Sequence, residues 1–289
     1  MSGKTSTQIG SISKIVGEEK AIEYVAKAGF TAWDFSMTEM YEWHKETNSL
    51  SLKDHPLNTK NYLSFARKLK NVATDNGIFC NQSHAPFPSD KPAMFNYLLR
   101  AIECTAEVGG EICVIHPATK SGLEGNAELF GKLLPFAKQH NVKIATENVW
   151  HWDKEKDQQA FAMGWNPETL NAILDLFNDE YLVACLDVGH AEMKGNGTSA
   201  VEMIRALGNR LKALHIHDND KWHDSHQIPF SMDIDFYSVA KALKEINYTG
   251  DFTLEVTAYL CEYTKENVFD GVKDLFASIK KFKDIYEKI

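Results

Sequence analysis

The chain has 289 residues, of which 44% are hydrophobic and 25% are charged, so it can bury a large core. This length suits one large α/β barrel or two smaller domains. The formal net charge of −9 disfavours a general nucleic-acid binder, because an acidic surface repels phosphate backbones. The absence of an apolar stretch near the roughly 20 residues that cross a bilayer disfavours a membrane protein. Five cysteines without a CxxC spacing argue against a disulfide framework and are predicted to be reduced core residues of a cytoplasmic protein.

Short apolar runs rich in β-branched residues recur along the chain and predict strands. A weak first strand is predicted within residues 7–12. The later strands are predicted to end near Ser36, Pro86, Pro117, Asn148, Gly189, Asp218 and Val256. These runs are continuous rather than alternating, which is typical of parallel strands covered on both faces.

Segments with helical periodicity alternate with these strands. The first, GEEKAIEYVAKAGF, places Ala21, Val25 and Ala28 on one stripe, and the second ends at a glycine stop, Gly77. Further helices are predicted over residues 91–108, 126–140, 166–177, 198–207, 236–246 and 266–287. Eight strands thus alternate with eight helices without a Pro/Gly/Ser-rich linker, which predicts βαβ crossovers and a parallel sheet.

Histidines and carboxylates recur at nearly every strand end from the third strand onwards. They are His84, His116, Glu147, Asp187, His190, His215, His217, Asp224, His226 and Glu255. An open doubly wound sheet gathers its site at one switch point, whereas a closed barrel brings all its strand ends around one axis. We therefore predict an α/β fold, a single-domain (β/α)8 TIM barrel over residues 1–289.

Carboxylates and imidazoles that converge at a barrel mouth predict a divalent-cation site with mixed oxygen and nitrogen ligands. Glu147 follows an apolar run and Glu255 lies within one, and a buried charge is costly unless it is paired or coordinated. Any one of the histidines alone is more typical of a structural residue. Asp187 could cap a following helix, although the intervening residues make this less natural. The convergence of the whole set favours a metal site.

These motifs resemble the sugar phosphate isomerase/epimerase superfamily, the xylose-isomerase-like barrels that include the endonuclease-IV class of apurinic-site nucleases. The resemblance covers residues 8–287 and rests on DVGH, on LHIHDND followed by HDSHQIPF, and on the glutamates of ATEN and TLEV. It implies that Glu147, Asp187, His215 and Glu255 hold one divalent ion, commonly manganese. It also implies that His190 contacts the sugar and that Glu147 and Glu255 exchange substrate protons on opposite faces. These three residues are the predicted catalytic residues.

Further residues match the endonuclease branch, whose members hold three zinc ions. His84, His116, His190, Asp224 and His226 stand at the matching places, so the resemblance extends the ligand set and allows one, two or three ions, manganese or zinc. An arginine that often holds the sugar in tagatose-type epimerases is missing from NDKWHDSH. The resemblance therefore does not carry over the usual ketohexose specificity.

The sequence predicts a divalent-metal-dependent isomerase, epimerase or related lyase that acts on a sugar, sugar derivative or cyclitol. The predicted chemistry is proton abstraction next to a metal-bound carbonyl or hydroxyl pair. The alternative is a polynuclear-zinc phosphodiester hydrolase of the apurinic endonuclease type, which the charge disfavours. A metal-binding but non-catalytic sugar-binding protein is a third reading. The predicted partner is a small sugar or polyol, with neither nucleic acid nor membrane expected and homo-oligomer formation left open.

Overall fold

The computed structural model of the protein describes residues 3–44, 46–47, 49–153, 155 and 158–289. Eight of its strands run parallel to their neighbours, and we number them along the chain. They are β1 (Thr5–Thr7), β2 (Ala32–Ser36), β3 (Phe79–His84), β4 (Ile112–Ile115), β5 (Lys143–Glu147), β6 (Leu182–Asp187), β7 (Leu211–His215) and β8 (Phe252–Leu254).

These strands close into a barrel. Strands β2 to β7 form one sheet in chain order, and β1 pairs with β8. A parallel bridge between Gln8 and Asp34 joins the end of β1 to β2, and another between Ile216 and Leu254 joins the end of β7 to β8. The two bridges complete the ring, so the predicted (β/α)8 TIM barrel is confirmed.

Helices connect the strands. They are α1 (Gly10–Val16), α2 (Glu18–Ala28), α3 (Tyr62–Asp75), α4 (Phe95–Val108), α5 (Gly122–Gln139), α6 (Pro167–Asp175), α7 (Val188–Glu192), α8 (Ala200–Leu207), α9 (Phe236–Glu245) and α10 (Val268–Lys288). Eight of them overlap the predicted helices, whereas the short α1 and α7 are additional. Two antiparallel hairpins pair Tyr41–His44 with Ser49–Leu52 and Trp152–Asp153 with Gln158–Gln159.

The predicted bounds of the first strand are wrong. The strand ends at Thr7, and α1 begins at Gly10, within the predicted strand. All three residues of β1 are buried, but they are polar. The hydrophobicity that marks the other strands is therefore missing here, and the prediction shifted to the apolar residues that follow.

A small apolar layer inside the barrel explains the position of the polar strand ends. It consists of Val114, Ala145, Val183, Cys185 and Ala213, which are buried together and apart from the main core. Side chains two positions apart lie on the same face of a strand. The next residues on this face are His116, Glu147, Asp187 and His215, so the backbone directs all four towards the barrel mouth.

Two predictions about the surface can be compared with the structure. Four of the five cysteines are buried, as predicted, but Cys261 is exposed. Within the described residues, none of the helices combines the length and the hydrophobicity that crossing a bilayer requires.

Candidate metal centre at the barrel mouth

The first cluster consists of Glu147, Asp187, His215 and Glu255, at the carboxyl ends of β5 to β8. One donor atom from each residue lies within 4.8 Å of the others. The first three residues are fully buried, and Glu255 is 7% exposed. His215 Nδ1 lies 2.5 Å from Glu147 Oε1 and 3.5 Å from Glu255 Oε2. This imidazole nitrogen therefore stands between the two glutamates.

His84 and His116 extend the first cluster on the side of Glu147. His116 Nε2 lies 3.1 Å and His84 Nε2 lies 3.5 Å from Glu147 Oε2. His84 Nε2 also lies 3.7 Å from Glu255 Oε1. The Phe87 ring is 45% exposed and stacks on the His116 ring, with 4.7 Å between the ring centroids. An aromatic side chain thus lines this side of the cluster.

The second cluster consists of His190, His217, Asp224 and His226, whose donor atoms also lie within 4.8 Å of one another. His190 lies on α7, and the other three follow β7. His226 Nε2 lies 3.1 Å and His190 Nε2 lies 3.4 Å from Asp224 Oδ2. The two clusters adjoin, because His217 Nε2 lies 3.0 Å from Asp187 Oδ1.

All nine predicted ligand residues lie in or beside these two clusters. They are Glu147, Asp187, His215, Glu255, His84 and His116 at the first cluster and His190, Asp224 and His226 at the second. His217 belongs to the second cluster but was not in the predicted ligand set. The sequence feature that could have identified His217 is its position two residues after His215, because residues two apart in an extended chain lie on the same face.

Asp187 has a second role that the sequence analysis disfavoured. Its Oδ1 accepts a hydrogen bond from the backbone N–H of His190 at 2.7 Å and caps the short helix α7. The expectation that the intervening Val188 and Gly189 make capping less natural is therefore wrong. The other oxygen of this carboxylate, Asp187 Oδ2, is buried without a hydrogen-bond partner.

Three polar residues inside the barrel support the first cluster and were not predicted. Gln8 Nε2 donates a hydrogen bond to Glu255 Oε1 at 2.6 Å. Asp34 Oδ2 lies 3.3 Å from His215 Nε2 and accepts a hydrogen bond from Gln82 Nε2 at 2.9 Å. These contacts join strands far apart in the chain, so no local sequence pattern marks them.

The neighbouring histidines hold Glu147 and Asp187 in their ionised form. Burial alone would raise the pKa of Glu147, but His215, His116 and His84 outweigh burial and keep this pKa well below its usual value. Burial also opposes ionisation of Asp187, yet the nearby His190 and His217 lower its pKa to about 2. The imidazoles respond in the opposite sense. Burial lowers the pKa of His226, but the Asp224 carboxylate outweighs burial and raises it to about 9.

The residues present fit a divalent cation. Three carboxylate oxygens of the clusters are buried and accept no hydrogen bond, namely Glu147 Oε2, Asp187 Oδ2 and Asp224 Oδ1. Among the described residues, no lysine or arginine forms an ion pair with these carboxylates. Such oxygens are costly to bury unless they are coordinated. Imidazole and carboxylate donors together suit manganese or zinc.

Comparison with solved structures places the fold among sugar epimerases and a zinc-containing protein. A D-tagatose 3-epimerase-like protein superposes with a TM-score of 0.72 at 20% identity, covering 99% of this chain and 98% of that one. The IOLI protein, crystallised with a binding zinc atom, gives a TM-score of 0.73 at 17% identity, covering 98% of this chain and 99% of that one. At these identities the likeness shows a shared fold alone.

Comparison of sequences gives the family. An uncharacterized protein of Methanocaldococcus jannaschii is 28% identical over 208 residues, which cover 66% of this chain and 66% of that protein. The chain thus spans slightly less than two thirds of this curated relative. The family model described as xylose isomerase-like TIM barrel matches residues 22–281. With nearly the whole barrel inside this match, the chain belongs to the xylose isomerase-like TIM barrel family.

Proposed function

We propose that the protein is a divalent-metal-dependent isomerase or epimerase, or a related lyase, that acts on a sugar, sugar derivative or cyclitol. One observation carries the proposal. Glu147 and Glu255 flank His215 Nδ1, at 2.5 Å and 3.5 Å, at the mouth of the barrel. Two carboxylates that flank one cation site can serve opposite faces of a substrate carbon held there, which is the requirement for epimerisation.

The ion would be held by Glu147, Asp187, His215 and Glu255, and the second cluster offers ligands for a further ion. When bound, a divalent ion stabilises the negative charge that develops on oxygen next to the carbon that loses its proton. The mixed donor set fits manganese or zinc, and the names of the similar solved structures agree with a sugar substrate and with zinc.

The proton-transfer roles are proposed for Glu147 and Glu255. The low pKa of Glu147 keeps it ionised at neutral pH, so it can accept a proton. The hydrogen bond from Gln8 to Glu255 Oε1 holds the second carboxylate in a fixed orientation and leaves its Oε2 on the side of His215. His190 has two predicted roles, sugar contact and metal ligand. Its Nε2 faces Asp224 Oδ2 at 3.4 Å, which favours the ligand role.

The test is exchange of carbon-bound hydrogen with solvent. The protein is incubated in D2O with manganese or zinc and a panel of sugars, sugar derivatives and cyclitols, and each compound is freed of protein and metal before NMR. We expect at least one compound to incorporate deuterium next to an oxygen-bearing carbon. A panel without incorporation under any metal would contradict the proposal.

Glutamine variants then test the two roles. E147Q and E255Q keep the side-chain shape but remove the base, so we expect turnover and exchange to fall at least roughly a hundredfold. Both residues are also proposed ligands, so metal content is measured in each variant. The matched control is E128Q, which changes an exposed glutamate paired with Lys132. If both variants retain their ion and near-normal rates, the two glutamates are ligands only and the base lies elsewhere.

The second cluster favours one alternative, a polynuclear-zinc phosphodiester hydrolase of the apurinic endonuclease type. Two adjoining groups of histidines and carboxylates suit more than one zinc ion. The net charge of −9 opposes binding to a duplex. Cleavage of an oligonucleotide with an apurinic site, by zinc-loaded protein that exchanges no hydrogen of the sugar panel, would establish this alternative instead.

A further inference from the structure

A cavity of about 490 Å³ lies beside helix α7, between the chain that follows this helix and the loop that follows β7. We call it the outer pocket. Its volume falls within the range of roughly 300–1,000 Å³ that is usual for small-molecule sites. None of the candidate metal ligands lines it. Its polar and aromatic side chains are Glu192, Lys194, Thr198, Asp220, Lys221 and Trp222.

The outer pocket adjoins the second cluster through two short stretches of chain. Helix α7 carries His190 of the cluster, and the last residue of this helix, Glu192, lines the pocket. In the loop after β7, Trp222 of the pocket precedes Asp224 of the cluster by two residues. The pocket and the candidate metal centre are therefore built on the same two segments.

A row of three tryptophans connects the barrel mouth with the outer pocket. Trp150 follows Glu147, the last residue of β5, by three residues. The centroids of the Trp150 and Trp152 rings are 6.4 Å apart, and those of the Trp152 and Trp222 rings are 6.5 Å apart. Trp222 thus continues an aromatic wall that begins beside the first cluster. A ligand longer than one sugar ring can follow this wall into the pocket.

Trp222 supplies an aromatic surface in the outer pocket. Its side chain is 48% exposed, although an indole is costly to leave in water. Lys194 Nζ lies 4.0 Å from the centroid of this ring, and within the described part of the chain Lys194 forms no ion pair. The ammonium therefore has N–H donors available to a ligand that reaches the ring. The C–H face of a sugar ring packs on such an aromatic surface while its hydroxyl groups accept hydrogen bonds from the donors beside it.

The charges of the outer pocket favour a neutral ligand. Glu192 Oε2 pairs with Lys221 Nζ at 3.1 Å, and Glu192 Oε1 accepts the backbone N–H of Ala200, the first residue of α8, at 2.9 Å. This carboxylate already occupies the helix N-terminus, where a phosphate would otherwise bind. The other carboxylate, Asp220, pairs with the exposed His223. Two lysines and two carboxylates thus balance, and a polyhydroxylated ligand without charge fits the lining better than an anion does.

We propose that the outer pocket is a second sugar subsite and that the substrate is a glycoside. The reacting unit lies at the first cluster, and the second sugar unit stacks on Trp222 and accepts hydrogen bonds from Lys194. The inference rests on the proposed function, which supplies the reaction at the first cluster. The outer pocket adds no proton-transfer group, so its role is to bind the second unit and to select substrates that carry one.

The experiment measures binding to the metal-loaded, full-length protein and needs no turnover. The probes are maltose, cellobiose, lactose and trehalose, each compared with its component monosaccharides, and inorganic phosphate as the anionic probe. Calorimetric titration gives the affinities of wild type, W222A, W222F and K194M. The matched control is F79A. Phe79 is also an exposed aromatic residue, with Lys4 Nζ 3.7 Å from its ring centroid, but it begins β3 at the opposite end of the barrel.

We expect wild-type protein to bind at least one disaccharide at least roughly tenfold more tightly than its component monosaccharides, because the second unit adds contacts. W222A should abolish this preference, whereas W222F keeps an aromatic face and should retain most of it. K194M removes the ammonium and should reduce the preference roughly two- to tenfold, the usual effect of a lost hydrogen bond. F79A should match wild type. If W222A does not fold, K194M tests the same pocket from its other wall.

Three results would overturn the inference. They are a wild-type protein that prefers no disaccharide, a preference that W222A leaves intact, and phosphate binding that depends on Lys194 and exceeds that of every disaccharide. Failure of the proposed function is distinguishable from all three. Protein with the Trp222-dependent preference that exchanges no substrate hydrogen would retain the second subsite and lose the isomerase proposal. Protein that exchanges the hydrogen of free sugars without this preference would do the reverse.

Discussion

Asp34 is the residue that determines how His215 can face the first cluster. It lies on β2, fully buried, and its Oδ2 is 3.3 Å from His215 Nε2. In the metal-free protein His215 Nδ1 shares a hydrogen bond with Glu147 Oε1 at 2.5 Å. If Asp34 accepts the Nε2 proton of His215, Nδ1 can give up its own proton and bind an ion between Glu147 and Glu255. A carboxylate behind a metal-binding histidine fixes the tautomer and the orientation of the ring. We therefore expect Asp34 to position His215, and His215 to bind an ion through Nδ1.

Replacing Asp34 by asparagine tests this role, because the amide oxygen can still accept from Gln82 and His215 but the negative charge is lost. We expect the affinity of the first cluster for manganese to fall roughly 10- to 100-fold. Burial lowers the pKa of His215, but the surrounding acidic groups, Asp34 among them, outweigh burial and raise it well above its usual value. The 15N shifts of His215 in the metal-free protein should therefore show that D34N lowers this pKa. Calorimetric titration measures the affinity, and ring-nitrogen NMR measures the pKa.

The control for this variant is S6A, which removes a hydrogen bond from a fully buried serine of β1 to Asn81 without touching a candidate ligand. Its affinity for manganese should stay within about twofold of wild type. If D34N behaves like S6A in both measurements, Asp34 only fills the barrel interior.

At the scale of single residues, the sequence identified the members of the two clusters better than the residues that support them. Glu147 and His215 end apolar strands, and a charge at such a place is conspicuous. Asp34 and Gln8 are equally buried, but their partners His215 and Glu255 lie 181 and 247 residues further along the chain. Such contacts exist only because the barrel closes, so one sequence contains no local pattern that reveals them.

At the scale of elements, the apolar strands and the long helices were predictable from periodicity, and the short polar ones were not. Strand β1 consists of buried threonine and serine, so its burial is invisible to a hydrophobicity pattern. Helix α7 has only five residues, and it forms where Asp187 caps the chain directly after β6. The cap turns the chain so that His190 lies beside the other residues of the second cluster. A short local element thus positions one residue of the site.

Gly189 of helix α7 permits the contact between this helix and His217. A Cβ atom at residue 189 would lie 2.0 Å from His217 Cε1, closer than any real contact. G189A should therefore displace the His217 ring or the helix and lower the free energy of unfolding by about 1–3 kcal/mol. It should also weaken ion binding at the second cluster. Chemical denaturation and ion content per chain measure the two effects.

The matched control is G131A, at a glycine inside helix α5. An added Cβ there meets only the Phe177 ring at 3.7 Å, an ordinary contact. Alanine has the higher helix propensity, so this variant should be neutral or more stable by up to about 1 kcal/mol. Equal effects of the two substitutions would show that crowding by His217 does not determine the residue at position 189.

At the scale of the whole molecule, the barrel and its ions should behave as one unit. The two clusters draw residues from β3 to β8 and from the loops that follow, so an ion bound there connects most of the barrel. We expect one cooperative thermal transition, consistent with the proposed single domain of residues 1–289. Because the ion binds the native state only, removal of an ion present at about 100 times its Kd should cost about 2.7 kcal/mol.

Calorimetric scans with and without excess chelator measure this effect. The expected fall in Tm is roughly 4–5 °C for a chain of 289 residues. Two well-separated transitions in the metal-loaded protein would contradict a single domain. An unchanged Tm in the presence of chelator, with no ion found by elemental analysis, would contradict the metal centre.

The raised pKa values of the clustered histidines make ion binding depend on pH. Burial lowers the pKa of His226, but Asp224 outweighs burial and raises it to about 9. His190 also has a pKa well above its usual value, since Asp187 and Asp224 outweigh burial. At pH 7 the metal-free protein therefore holds protons on these imidazoles. An ion needs their lone pairs, so binding must release those protons.

The sign of the pH dependence follows from this proton count. Below pH 9 the metal-free protein binds more protons than the loaded protein, so the apparent affinity for zinc should rise with pH at least up to about 9, the pKa of His226. Asp187 contributes little to this proton count, because its pKa of about 2 keeps it ionised over this pH range. Calorimetric titration in two buffers of different ionisation enthalpy counts the released protons, and we expect at least about one per zinc ion at pH 7.

H226A should release fewer protons than wild type, and H223A, at the exposed histidine, should release the same number. If the wild-type protein releases no protons on binding zinc at pH 7, the imidazoles are already neutral in the metal-free protein. The neighbouring carboxylates then do not raise the pKa values of these imidazoles.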